Sequence, residues 1–83
     1  MFELRISPKA ERQIKKLKKE YQVAIIEMLK EIKEDPLLGK PLTRELNRRF
    51  NYKFKAYRVI YKVNLKDNLV DILDANHRGR VYN

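Results

Sequence analysis

Phe50-Asn51-Tyr52-Lys53-Phe54-Lys55-Ala56-Tyr57-Arg58-Val59-Ile60-Tyr61-Lys62-Val63 is the stretch on which the fold turns. From Leu46 to Phe54 the chain alternates, with Leu46, Phe50, Tyr52 and Phe54 on one face and Asn47, Arg49, Asn51 and Lys53 on the other, as a strand with one greasy and one basic side requires. Tyr57 to Val63 is rich in β-formers and reads as a second strand. If Lys55-Ala56 is a two-residue turn, Lys53 lies directly opposite Arg58 on the same sheet face. Like charges so placed repel unless an anion joins them.

Working outward, Asn64 to Asn68 is turn-like and Leu69 to Ala75 is a further strand, so the second half of the chain predicts an antiparallel meander. At the other end, Phe2-Glu3-Leu4-Arg5-Ile6 has the period-two pattern of a half-buried strand. Ser7 then offers an N-cap and Pro8 suits the first helical position. Ala10, Ile14, Leu17, Tyr21, Ala24/Ile25, Met28/Leu29 and Ile32 form a helical stripe, with Lys15, Lys16, Lys18 and Lys19 on the wet side. One rod from Pro8 to Glu34 would be ~40 Å long, against a radius of gyration of ~12 Å for a domain of this size. The helix is therefore expected to break near Lys18 to Tyr21 and form a helical hairpin. Asp35-Pro36 ends it, and Leu37 to Thr43 reads as loop. The fold class is α+β: an N-terminal strand, a helical hairpin on one sheet face, then a three-stranded antiparallel meander completing a small twisted sheet.

At 83 residues the chain is read as one domain, 1–83. Its 20 Lys and Arg against 11 Asp and Glu leave a charge of +9, a field that attracts polyanions, nucleic acid first. Without cysteine there is no disulfide framework and no thiolate metal site. Asp71 and Asp74 fall on opposite strand faces by parity, so no metal pair is expected of them. Ser7, the single serine, is used as a cap, which excludes a Ser-His-Asp triad, and two glycines are too few for a phosphate-cradling loop. The opening residues lack the apolar run of a signal peptide and no stretch approaches the ~18 apolar residues of a membrane span, so a cytoplasmic protein with no membrane partner is expected.

What remains is a concentration of cations, Arg48, Arg49, Lys53, Lys55, Arg58, Lys62, His77, Arg78 and Arg80, interleaved with Tyr52, Tyr57, Tyr61 and Tyr82. Cations on phosphates and aromatic faces under unstacked bases are how single-stranded RNA is held. The structural alternative is that the lysines and arginines are simply solvated, Lys62 among them, and that Phe50, Tyr52, Phe54 and Tyr61 fill the core.

The order of pieces across the chain resembles the RelE/ParE toxin superfamily, RelE branch: an opening strand with Ser7-Pro8-x-Ala10, two amphipathic helices, Asp35-Pro36 with Lys40-Pro41-Leu42, Tyr57-Arg58-Val59-Ile60-Tyr61-Lys62-Val63, and His77-Arg78-x-x-Val81-Tyr82. The resemblance implies a RelE-like fold and a ribosome-dependent, metal-free endoribonuclease (mRNA interferase) with no cofactor, in which a ribose 2′-hydroxyl attacks the neighbouring phosphate. It further implies that Lys53 and Lys55 assist proton transfer and bind phosphate, Arg58 holds the scissile phosphate, Arg78 stabilises the reacting or leaving oxygen, and Tyr82 orients the nucleotide. Arg48, Arg49, His77 and Arg80 are expected RNA contacts. The implied partners are a RelB-like antitoxin, the ribosome and mRNA, with DNA reached only through the antitoxin. Two alternatives stand beside this: a ParE-like inhibitor of DNA gyrase acting by binding, and a non-cleaving RNA-binding module.

Overall fold

Alternation in the second half and helical periodicity in the first give the elements in chain order. In a computed structural model that describes residues 1–42 and 48–78, these are β1 (Glu3–Ile6), α1 (Pro8–Lys16), α2 (Lys19–Glu34), β2 (Lys40–Pro41), β3 (Arg49–Phe54), β4 (Tyr57–Asn64) and β5 (Leu69–His77). The sheet runs β1-β5-β4-β3-β2, with β3, β4 and β5 the expected antiparallel meander and β1 parallel to β5. The α+β arrangement is the one the patterning predicts.

Ser7 caps α1 as expected, its Oγ accepting from the Ala10 N–H at 3.1 Å, with Pro8 at the first helical position. The same residue ties the helix to the sheet, since the Ser7 N–H donates to the Ile72 carbonyl at 3.0 Å. The helix breaks at Leu17 and Lys18, both extended (φ −76°, ψ 152° and φ −59°, ψ 150°), one turn earlier than the far end of the expected window. Extended backbone is open to any residue, so neither Gly nor Pro is needed. The Gln22 side chain supports the break, donating to the Leu17 carbonyl at 2.9 Å.

Ala10, Ile14 and Leu17 join Ile25, Met28, Leu29 and Ile32 as the helical half of the core, against Phe50, Val59, Tyr61, Val63, Val70, Ile72 and Ala75 from the sheet. Each fully buried aliphatic side chain contributes about 1.5–3 kcal/mol relative to exposure. Tyr61 is wholly buried, stacked on Phe50 at 5.4 Å, and burial pushes its phenol above the usual range. Its hydroxyl donates to the Pro36 carbonyl and accepts from the Gly39 N–H, both at 2.8 Å. A Cβ on Gly39 would lie 2.8 Å from that hydroxyl, so the close approach demands glycine. This tether corrects one expectation: the segment read as loop from Leu37 contains β2, because holding Gly39 on Tyr61 lays Lys40 and Pro41 beside Asn51 and Phe50.

Two further expectations are corrected. Phe54 is 48% exposed rather than core, since it sits at the hairpin tip, while Tyr52 is half-buried with its hydroxyl donating to Glu31 on α2 at 3.1 Å. Asp71 and Asp74 share the outer sheet face instead of opposing it: Tyr61 pairs with Ile72 but Ile60 with Asp74, so Leu73 is an extra residue that reverses the parity of everything after it.

Candidate functional site

The β3–β4 connection is the two-residue turn Lys55-Ala56, and it sets Lys53 directly opposite Arg58. Only Lys55 of the two central residues has positive φ, at 56°, a conformation that favours glycine or asparagine. A lysine there carries a left-handed cost of roughly 1–2 kcal/mol. Its ammonium lies 5.5 Å from the exposed Phe54 ring.

β5 completes the site through the Leu73 bulge. With the parity reversed, Asn76 lies opposite Arg58 on the outer face and His77 opposite Tyr57 on the inner. Asp74 reaches the Arg58 guanidinium at 3.2 Å and also bonds the Gln13 side chain of α1, whose Oε1 accepts from the Ala75 N–H at 3.0 Å. One hydrogen bond then folds the end of the strand over the hairpin, from the Arg78 N–H to the Ala56 carbonyl at 2.8 Å.

The result is a cleft of about 540 Å³ lined by Lys53, Lys55, Ala56, Tyr57, Arg58, Asn76, His77 and Arg78. Four fixed cations converge on it and no carboxylate is among its described lining residues. Asp74 stands behind, orienting Arg58 rather than occupying the space. His77 is held edge-on by Tyr57 at 4.7 Å and by Tyr21 of α2 at 5.2 Å. Burial pushes the Tyr57 phenol up, which keeps it a neutral hydrogen-bonding group.

Of the residues singled out from the sequence, Lys53, Lys55, Arg58, His77 and Arg78 therefore come together. Arg48 and Arg49 do not line the cleft; they lie at the far end of β3, where Arg49 pairs with Lys62. Arg80, Tyr82 and Leu46 fall outside the described residues. Asn76 and Asp74 were missed, and the signal lay in Asp71-Ile72-Leu73-Asp74-Ala75, where the apolar phase slips from even to odd positions. Among the described residues no cluster of three His, Cys, Asp or Glu could hold a metal ion. Asp71 is taken by Arg5 at 2.9 Å. No helix among the described residues is long and apolar enough to cross a membrane.

Residues 4–82 match the family model for the ParE toxin of type II toxin-antitoxin systems, parDE. Comparison with curated proteins gives no significant match. Among solved structures, a chain of the toxin-antitoxin complex RelBE2 from Mycobacterium tuberculosis is 32% identical with a TM-score of 0.82, covering 93% of this chain and 98% of that one. The isolated E. coli RelE toxin is 19% identical with a TM-score of 0.78, over 93% of this chain and 84% of that one. The archaeal RelE-RelB complex from Pyrococcus horikoshii gives 24% and 0.74, over 96% and 98%. The last two are likenesses of fold. The family match over almost the whole length, together with the 32% identical relative, establishes that the chain belongs to the RelE/ParE superfamily of type II toxin-antitoxin toxins.

Proposed function

We propose that this toxin is a ribosome-dependent endoribonuclease that cuts mRNA in the ribosomal A site. The observation that carries the reading is the pairing of Lys53 with Arg58 across the hairpin tip, with Lys55 and Arg78 around the same cleft and no carboxylate among its described lining residues. Such a site suits a reaction whose transition state gathers negative charge on a phosphate. The ribose 2′-oxygen forms a bond to the adjacent phosphorus while the bond from phosphorus to the 5′-oxygen breaks. The proton of the 2′-hydroxyl passes to a base and another is delivered to the 5′-oxygen, leaving a 2′,3′-cyclic phosphate and a 5′-hydroxyl. Lys53 and Lys55 serve the proton transfers and bind the phosphate, Arg58 holds its non-bridging oxygens, and Arg78 steadies the leaving oxygen. Tyr82 would orient the nucleotide, and His77 and Arg80 would contact RNA nearby.

Two of the similar solved structures are toxin-antitoxin complexes, RelBE2 and RelE-RelB, and a charge of +9 suits an acidic partner. We therefore assign this chain a RelB-like antitoxin that covers the basic surface, with DNA reached only through it and the cytoplasm as its place of action. A second reading, inhibition of DNA gyrase by binding, is kept because the matched family model is that of a ParE toxin. Primer extension on translated mRNA, with and without ribosomes and with end-group analysis of the fragments, separates the two. Site-specific cuts with cyclic phosphate ends only in the presence of ribosomes are expected. Intact message together with blocked supercoiling would transfer the protein to the gyrase reading.

A further inference from the structure

The β3–β4 ladder holds a second like-charged rung. Arg49 pairs directly with Lys62 on the same outer face as Lys53 and Arg58, four residues away along each strand. At 3.2–3.4 Å per residue the two rungs stand about 13 Å apart. Lys40 of β2 lies opposite Asn51 on the same face, between the rungs. Cations so placed disfavour the sheet, and sheets elsewhere answer them with acids. On β5 the acids Asp71 and Asp74 lie opposite Lys62 and Ile60 on this same face, but Asp71 is held by Arg5 and Asp74 by Arg58. Among the described residues no carboxylate lies within ion-pair distance of Lys40, Arg49 or Lys62.

We infer that Arg49 and Lys62 form a second phosphate-binding rung, which grips the message strand a few nucleotides from the link held at Lys53 and Arg58 and aligns that strand with the β3–β4 hairpin. The inference rests on the nuclease reading and adds to it the path of the substrate. A strand pinned at the first rung and following the hairpin meets the second, a span that a few nucleotides of single strand cover. The alternative occupant, a protein segment, needs apolar anchors. Between the rungs the hairpin's own apolar contribution to this face is a half-buried Ile60, whereas exposed Val23 and Ile26 lie on α2 and Leu37 and Leu38 in the segment that follows it.

The test uses RNA oligonucleotides of three and of eight nucleotides, blocked at the scissile position by a 2′-deoxy sugar, with binding followed by fluorescence anisotropy over a range of salt. The wild-type chain is expected to bind the longer strand on the order of tenfold more tightly, by adding two cation contacts. In the double variant Arg49→Gln/Lys62→Gln that advantage should shrink to about twofold or less, and the salt slope for the long strand should fall by about 0.7, the value for the one phosphate the rung holds on a single strand. Its melting temperature should be no lower than wild type, because the exchange removes repulsion, and so a loss of binding cannot be ascribed to unfolding. An unchanged length advantage overturns the inference. So does a loss seen only with empty ribosomes, which would move the contact to ribosomal RNA, or only with an acidic antitoxin segment. Cleavage assays on the same strands in ribosomes keep the two ideas apart. Cutting by the wild type with a normal length advantage in the variant leaves the nuclease and removes the rung, whereas a length advantage lost without any cutting keeps the rung and removes the nuclease.

Discussion

The two hairpin turns of the meander are built on opposite principles. In the β4–β5 turn, Asn64 accepts from the Asp67 N–H and donates to its carboxylate, both at 3.1 Å, and the left-handed position is filled by Asn68 at φ 52°. Asparagine tolerates that conformation and holds its own backbone, so this turn is chosen for stability. The β3–β4 turn puts Lys55 in the left-handed position, leaves Phe54 half in water and faces Lys53 with Arg58. Strain and repulsion along this ladder, at the tip and again where Arg48 has φ 45° beside the Arg49–Lys62 pair, mark where a sequence answers to something besides folding.

That contrast can be broken by experiment. The largest effect should come from Arg58→Ala and Arg78→Ala, each lowering single-turnover cleavage on programmed ribosomes by on the order of a hundredfold, as removal of one oxyanion donor does. Lys66→Ala in the other turn should stay within about twofold, and a comparable loss there would erase the distinction. Lys55→Gly should lower cleavage by about tenfold or more through loss of a cation beside the reacting phosphate. The same change relieves roughly 1–2 kcal/mol of left-handed cost, offset by up to ~1 kcal/mol of glycine entropy. The melting temperature should consequently rise by about 4 °C, taking ~4–8 °C per kcal/mol. Asn68→Lys imposes the same strain on the stable turn and should cost about 1 kcal/mol by chemical denaturation, with cleavage retained. Asn64→Ala, which loses two exposed hydrogen bonds, should cost only about 0.5 kcal/mol.

The strained turn was legible in the sequence because two facts fix it: strand parity and a loop of two residues together force Lys53 opposite Arg58. The helical core was legible for the same reason, since the 3.6-residue stripe from Ala10 to Ile32 names its own buried face. What escaped depends on distant contacts. The helix break was placed by size, while its physical support is Gln22 reaching the Leu17 carbonyl, a bond that no local pattern announces. Lys40 and Pro41 become a strand because a tyrosine hydroxyl some twenty residues later holds Gly39. Leu73 shifts the register that carries Asp74, Asn76 and His77 to their places, and only a slip of one residue in the apolar phase of β5 betrays it. Phe54 was misplaced because alternation reports the face of a strand but not where the helices covering that face end.

Among the described residues β1 finds its sheet partner in β5, with Glu3 beside Leu69 and Ile6 beside Ile72. A growing chain thus carries its first strand without this partner through most of its synthesis, because β5 lies toward the other end of the sequence. A chain cut short before residue 78 lacks the bond from the Arg78 N–H to the Ala56 carbonyl that ties the end of β5 to the hairpin.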